Sequence, residues 1–504
     1  MTPVPNRGPR APGGACLWRD SALLAAMALA VRLGVVAWAW GRFPPTADAT
    51  YYQRLATRLA AGQGYTWLWP DGVVTYAAHY PVGYPAALGA LYALFGAHPG
   101  VGMVCNALLG ALGCLAVHRL VAPFRKRGWA LGAGGLVALH PGLVGYTPAL
   151  MTEGVTASLV AVAVWAAAAA RAERRPGRRW ARVALLGAAC GLATLVRPQC
   201  LLLAPLLGLL AVPPDPGRGW RDLSRRWARP MCAAVVGSVV ALGTCAPWTA
   251  RNCSRMGRCA LVSVNGGWNL LIGTNRDAGG GWAPIEVPEA CRTVFDEAAK
   301  DVCFERAAWQ SILASPRSWI ELAPRKLAAT FDYCGAAGWY LHQSNAQAFG
   351  RGAKTALGVV ETAYERVVLL FGLALCWPRS SRGRRLGLGW LVGGAAAWRA
   401  AGGAERGTLR RPIRVAIVLV GLASALLVHA WVGYLALIVA LALDRPLFGR
   451  ATLLRGASAA VLLSVAATHA VFFGGGRYAL VCFPVMCALG ALGAVRWWPR
   501  RLGS

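Results

Sequence analysis

The chain has 504 residues, 57% hydrophobic and only 14% charged, with a formal net charge of +32 and a mean hydropathy of +0.46. A soluble domain carries about 25% charged residues, so too few are present here to solvate a soluble protein of this length. A soluble enzyme, a secreted disulfide scaffold and a disordered chain are excluded. Apolar stretches of about 15 to 25 residues, often bounded by Arg, follow instead the pattern of membrane-spanning helices.

The positive charge is dispersed. Basic clusters at Arg125–Arg127, Arg171–Arg182, Arg218–Arg229, Arg379–Arg385, Arg399–Arg414 and Arg496–Arg501 alternate with apolar stretches. No single face collects the charge as a nucleic-acid footprint would, so no nucleic-acid partner is expected. Short basic loops beside spans mark the cytoplasmic side of a membrane. The acids are placed differently: nine of the twenty lie between Asp277 and Asp332, within one polar insertion.

In chain order, a cytoplasmic tail at 1–19 precedes a first span at 20–41. Ala37-Trp38-Ala39 offers a signal-peptide cleavage pattern, but the length of the stretch and Arg32 within it favour a retained span. A polar, aromatic segment follows at 42–98. It holds a short amphipathic helix at 49–61 and an apolar stretch at 83–96 that is too short to span. Spans are expected at 100–121, 130–146, 154–171, 183–196, 199–212 and 230–248, then a polar insertion at 249–353. Later spans fall at 356–376, 412–428, 431–443, 456–473 and 478–495. The stretch 386–398 reads as interfacial or re-entrant, and 412–443 as two short helices or one long one. The fold class is therefore an all-α polytopic membrane protein with about 11 to 13 spans and a small external lobe. It divides into an N-terminal transmembrane catalytic module at 20–248 with external loop 42–98, a lobe at 249–353 and a C-terminal transmembrane module at 354–504. With the N-terminus inside, parity places loop 42–98, Glu153, Arg197 and the insertion outside, and every dense basic cluster inside.

In the insertion, Asn265-Gly266-Gly267 and Gly279-Gly280-Gly281 are turn signals. Residues 289–313 and 317–331 read as two helices, with Pro316 near the first position of the second. No Lys follows the Gly triplet at P-loop spacing, so it reads as a plain turn. Cys253, Cys259, Cys291, Cys303 and Cys334 lie in this region, where an oxidising exterior permits disulfides. No Cys-x-x-Cys pair indicates a zinc ribbon. Twelve positions of straight helix span about 18 Å, so a Cys291–Cys303 bond requires a turn between them. That pairing is favoured, followed by Cys253–Cys259.

Two acids stand apart from the insertion. Asp48 follows the first span in Thr46-Ala47-Asp48-Ala49-Thr50-Tyr51-Tyr52. A poorly solvated carboxylate at the membrane surface can accept a proton, and Asp before an amphipathic segment is also an ordinary helix N-cap. Glu153 sits at the turn between two apolar spans, where an acid is rare enough to suggest function. A helix start that favours negative charge accounts for it equally. Two acids at separate loop–helix junctions on one side can converge on one cavity.

The stretch from Asp48 through Tyr51-Tyr52, Gly62-Gln63-Gly64-Tyr65 and His79-Tyr80-Pro81-Val82-Gly83-Tyr84-Pro85 resembles the first external loop of polytopic glycosyltransferases of the GT-C fold. These include the protein O-mannosyltransferases and the lipid A aminoarabinose transferase. Glu153, Leu195-Val196-Arg197-Pro198, Pro247-Trp248-Thr249-Ala250-Arg251-Asn252, the run Asn265 to Asn275, Gly281-Trp282 and Gly476-Arg477-Tyr478 fit in the same order, over most of residues 20–495. Val82 replaces one of two adjacent prolines found in many relatives, and Asp48 is single where some have paired acids. His79 and Tyr80 stand where the aminoarabinose enzyme has an acidic and a basic residue, so its donor contacts do not carry over.

The resemblance implies transfer of a sugar from a polyprenyl-phosphate donor to a glycan, lipid or protein acceptor at the outer face of the cytoplasmic membrane, with both termini inside. Asp48 would be the general base and Glu153 its catalytic partner. Arg197, Arg251 and Arg477 would clamp the lipid phosphate, with snorkelling to headgroups as their other reading. Tyr51, Tyr84 and Trp268 would stack on the sugar, with an interfacial aromatic belt as their commoner reading, and His79 and Asn265 complete the candidate substrate contacts. No cofactor and no metal ligand is assigned. The rival class is a transporter or flippase for lipid-linked sugars. It needs a polar path through the bilayer, whereas the mid-span regions are nearly free of charge, with Arg32 the main exception.

Overall fold

The computed structural model describes residues 14–124, 127–215, 223–378, 410–427, 429–443 and 453–497. The basic run at 379–385 and the re-entrant reading of 386–398 lie outside the described residues. The order is α1 (Gly14–Ala39), α2 (Asp48–Ala60), β1 (Thr66–Leu68), β2 (Val74–Tyr76), α3 (Gly83–Phe95), α4 (Pro99–Val121), α5 (Arg127–Ala138), α6 (Pro141–Gly145), α7 (Thr152–Ala172), α8 (Pro176–Val196), α9 (Leu203–Ala211) and α10 (Leu223–Arg255). Then come α11 (Gly266–Ile272), α12 (Glu289–Arg292), α13 (Glu297–Ala314), α14 (Pro316–Glu321), α15 (Ala323–Phe331), α16 (Ala336–Ser344) and α17 (Arg351–Leu375). The chain continues through α18 (Arg410–Leu427), α19 (Ala430–Ala442), α20 (Leu453–Val471) and α21 (Phe483–Trp497).

Among the described residues, seven helices are long and apolar enough to cross a membrane: Cys16–Ala39, Pro99–Val121, Thr152–Ala172, Pro176–Val196, Ser224–Arg255, Leu453–Val471 and Gly476–Val495. Four shorter apolar helices accompany them: Gly83–Phe95, Pro198–Ala211, Pro412–Leu427 and Ala430–Ala442. The chain is a multi-pass, predominantly helical membrane protein. Lipid tails give no hydrophobic drive between helices, so close backbone approach matters. Gly187 and Gly191 on α8 supply it. A Cβ at Gly187 would lie 2.6 Å from the Gly237 carbonyl oxygen, and one at Gly191 2.8 Å from that of Ala241. α7, rich in Ala and Val, is buried along most of its length.

Arg32, the one charge expected within the first span, is 1% exposed. Its Nη1 donates to the carbonyls of Ala28 and Ala138, both at 3.1 Å, and Nη2 donates to Val137 at 3.2 Å. It thus caps the C-terminal carbonyls of α5, which have no partner within their own helix. The apolar run 130–146 is not one span. α5 stops at Ala138, and Pro141 opens the short α6 with His140 as its cap. The 412–443 stretch is two helices that pack together, broken at His429.

Two further features differ from the sequence reading. Residues 66–68 and 74–76 pair as an antiparallel hairpin in register Thr66↔Tyr76. Pro70-Asp71-Gly72 turns it, with Gly72 at φ +83°. The lobe helices are also more broken than expected: 289–313 divides at Thr293–Asp296, and 317–331 divides at Leu322. Both lobe disulfides are formed, Cys253–Cys259 and Cys291–Cys303, the second with a Cα–Cα separation of 5.8 Å. The break after α12 provides the turn that the second bond requires.

Candidate active site

α2 is amphipathic, and Ala49, Tyr52, Leu55 and Ala56 form its buried face. Asp48 is its first residue. The cap position belongs to Ala47, which makes no side-chain cap bond and holds φ 52°, ψ −133°. It is the one non-glycine at positive φ among the described residues. The Asp48 carboxylate turns to the end of the chain: Oδ2 lies 3.0 Å from Arg477 Nη1, and Oδ1 accepts from the Tyr80 hydroxyl at 3.5 Å.

Glu153 is the second residue of α7 and its side chain is 1% exposed. Its oxygens accept from Arg197 Nη2 at 2.5 Å and the Tyr146 hydroxyl at 3.1 Å, and Arg477 Nε forms an ion pair with it at 3.4 Å. Arg197 precedes Pro198, which forces it out of the helical region. It adopts φ −145°, ψ 110° and ends α8. Its Nε then reaches Thr152 Oγ1 at 3.0 Å. Arg477 enters on a tight helical turn, Gly476–Cys482. A Cβ at Gly476 would lie 2.2 Å from the Tyr333 carbonyl oxygen, so only glycine lets this turn press against the α15 end.

Tyr478 backs the two arginines. Both guanidinium carbons sit 5.1 Å from its ring centroid, and His469 stacks on the ring at 4.2 Å. From α16, Trp339 lies 6.0 Å from Arg477. Ser344 and Asn345 at the end of α16 donate to the carbonyls of Pro44 and Arg42, pinning the strand of chain that leads into Asp48. Two carboxylates and two guanidiniums therefore form one nearly neutral cluster. Asp48 is its open member, with a side chain 33% exposed against 1% for Glu153.

The other candidates lie around this cluster. Tyr51 is exposed and stacks on Tyr80 at 5.2 Å. Half-buried His79 meets the edges of Tyr80 at 4.9 Å and Trp268 at 5.6 Å. Desolvation there pushes its pKa down to about 4, against a smaller upward pull from Asp48. Trp268 packs on Phe304 and donates its backbone N–H to Asp301 at 3.1 Å. Asn265 leads into α11 and accepts from Ser263 at 2.9 Å. Tyr84 is buried, its hydroxyl bonded to Asn106 at 3.1 Å, so its ring presents no face to a ligand. Arg251 is spent on structure. It donates to the carbonyls of Ala77 and Tyr65, each at 2.8 Å, and does not reach the Asp48–Glu153 cluster. Among the described residues, no three His, Cys, Asp or Glu converge into a metal-sized group. Tyr146, Thr152, Tyr478 and Trp339 join the site without having been singled out. Only Tyr478, beside Arg477, carried a local signal.

Residues 79–250 match the family model described as dolichyl-phosphate-mannose-protein mannosyltransferase. No curated protein sequence matches the chain. Among solved structures, it is similar to the archaeal oligosaccharyltransferase AglB from Archaeoglobus fulgidus, with a TM-score of 0.45 and 15% identity over 95% of this chain and 50% of that one. It is also similar to ArnT from Cupriavidus metallidurans, with a TM-score of 0.39 and 15% identity over 94% of this chain and 77% of that one. The chain thus spans about half the length of the archaeal enzyme. The resemblance read from the motifs and the family match over 79–250 agree: this chain resembles the polytopic glycosyltransferases of the GT-C class.

Proposed function

We propose that this chain transfers a sugar from a polyprenyl-phosphate donor to a hydroxyl-bearing acceptor at the outer face of the cytoplasmic membrane. The observation that carries the reading is the convergence of Asp48, Glu153, Arg197 and Arg477 from four distant segments onto one semi-open cluster. The family match over 79–250 supports the reaction class. Alternation of basic loops with apolar helices supports the orientation. The two lobe disulfides suit an oxidising compartment on that side.

In this reading Asp48 takes the proton from the acceptor hydroxyl. The acceptor oxygen forms its bond to the anomeric carbon as the bond from that carbon to the phosphate oxygen breaks. The electron pair leaves with the lipid phosphate, whose charge Arg477 and Arg197 stabilise. Glu153 is buried, accepts from Arg197 and Tyr146 and is ion-paired with Arg477, so it acts as a positioning residue that holds both guanidiniums. Purified protein incubated with several polyprenyl-phosphate sugars should transfer sugar or slowly hydrolyse at least one of them. Inertness towards all of them, in a folded sample, would overturn the reading. Impermeant thiol labelling checks the orientation, with cysteines introduced near Asn265 expected to react from outside and those near Arg175 to stay protected.

A further inference from the structure

Glu297 opens α13, and its carboxylate grips the first polar segment rather than solvent. Oε2 accepts from the backbone N–H groups of Ala78 at 2.7 Å and His79 at 3.0 Å, while Oε1 accepts from the Trp67 indole. Burial raises its pKa, and the three bonds to the ionised form oppose that rise. The groups it holds are neighbours of the reacting carboxylate. Trp67 sets its ring edge against Tyr51 at 5.9 Å and Tyr80 at 6.3 Å, and Tyr80 donates to Asp48. The turn that presents Glu297 is fixed twice. Asp296 caps α13 through the Ala299 N–H at 2.8 Å, and Cys291–Cys303 closes the chain around it.

We propose that Glu297 is a positioning residue of the lobe, holding Trp67, Ala78 and His79 so that the Tyr80 hydroxyl stays against Asp48, and that the Cys291–Cys303 bond sets Glu297 in place. The proposal rests on reading Asp48 as the reacting carboxylate. A packing contact competes for the same role: Ala298 and Ala78 share a small apolar cluster with Met256 and Val264. The two are separable by chemistry. Glu297→Gln keeps the shape and the packing, but its amide nitrogen is a donor facing a donor, so it cannot serve all three partners.

The test is hydrogen exchange on the full chain in lipid nanodiscs, alongside turnover with a polyprenyl-phosphate sugar. In Glu297→Gln, the one remaining acceptor oxygen serves either the two backbone N–H groups or the indole, so protection should fall about tenfold at the Ala78 and His79 amides or at the Trp67 indole N–H. Turnover per folded molecule should fall about tenfold with the donor KM unchanged, and an unchanged melting temperature would separate this from general destabilisation. The double variant Cys291→Ser/Cys303→Ser should show the same local loss to a smaller degree, with α7 and α10 amides unaffected. Unchanged protection at Ala78, His79 and the Trp67 indole in Glu297→Gln would overturn the proposal in favour of apolar packing alone. An inactive wild type would remove the transferase reading, while the exchange data would still decide what holds this loop.

Discussion

Arg477 Nη1 lies 3.0 Å from Asp48 Oδ2, joining the helix after the first span to the turn before the last one. The same guanidinium reaches Glu153 through Nε at 3.4 Å. Such a two-sided grip uses the planar fork of Arg, which a Lys ammonium cannot reproduce. Arg477→Lys keeps the charge, so the buried Glu153 retains compensation from Arg197 and the protein should fold. Turnover should nevertheless fall about a hundredfold, as expected when a positioned charge is lost from the transition state. Near-normal turnover in this variant would remove Arg477 from the phosphate role.

Asp48→Asn separates base from scaffold. Ala47 occupies the cap position, so Asp48 has no cap bond to lose, and the amide can still accept from Tyr80 and Arg477. Stability should change by about 1 kcal/mol or less. Turnover should drop about a hundredfold or more, because an amide does not take up the acceptor's proton. Donor binding should stay near normal. The measurement is turnover beside donor-lipid affinity, and an active Asp48→Asn protein would leave the base unassigned.

Glu153→Gln should invert that pattern. The side chain is buried between two guanidiniums, and neutralising it leaves Arg197 without its carboxylate and Arg477 with Asp48 alone. Breaking one side of a buried ionic group typically costs about 3–5 kcal/mol. Thermal unfolding should therefore show a larger loss than for Asp48→Asn, while turnover per folded molecule falls less. Equal or greater loss of turnover at wild-type stability would make Glu153 the reacting acid instead.

What the sequence made legible follows from the range of the forces involved. Helices α2, α3, α4 and α7 were readable within a residue or two, whereas α1, α8, α10 and α17 begin several residues before the apolar runs read from the sequence, because the helix continues into their polar and basic flanks. Asp48 and Glu153 stood out singly because an acid beside a span is rare, and Arg197 and Arg477 through the motifs that carry the resemblance. Their mutual pairing is a long-range property that no local pattern carries. Arg251 and Arg197 look alike as cations at the ends of apolar runs, yet one ties down carbonyls of the hairpin loop and the other joins the cluster. Glu297 was hidden among nine acids of a polar insertion, where a solvated face is the ordinary reading. The hairpin escaped notice because three-residue strands are too short to show alternation. The break of 130–146 at His140 was marked by Pro141, but the apolar length of the run masked it.

His79 should make stability depend on pH. Desolvation holds its pKa at about 4, below the ordinary 6.5. The unfolded chain therefore takes up the proton first as pH falls. The stabilisation from neutral His79 is fully present above about pH 6.5. It is lost as pH falls from there through about 4. Melting temperatures measured across this window should decline in the wild type and decline less in His79→Asn. Parallel profiles would show that other groups dominate the acid limb.

Ala47 offers the sharpest test of the backbone at the site. Its φ of 52° with ψ of −133° falls in a region that side chains with a Cβ rarely enter. Strain of this kind typically costs about 1–3 kcal/mol and persists only where the surroundings over-determine it. Here the surroundings are visible. The Ala49 and Thr50 N–H groups bond back to the Thr46 and Ala47 carbonyls, Ser344 holds Pro44, and Arg477 holds Asp48. Ala47→Gly releases the steric penalty but adds freedom to the unfolded chain, worth about 0.4–1 kcal/mol in the other direction. The net should be a stabilisation of about 1 kcal/mol, read as a raised melting temperature, with turnover kept because the hydrogen bonds that aim Asp48 are unchanged. Ala47→Val should do the reverse, since a branched side chain is still less tolerant of positive φ. A destabilised Ala47→Gly protein would mean that this turn is not strained, and that Asp48 is aimed by its ion pair with Arg477 alone.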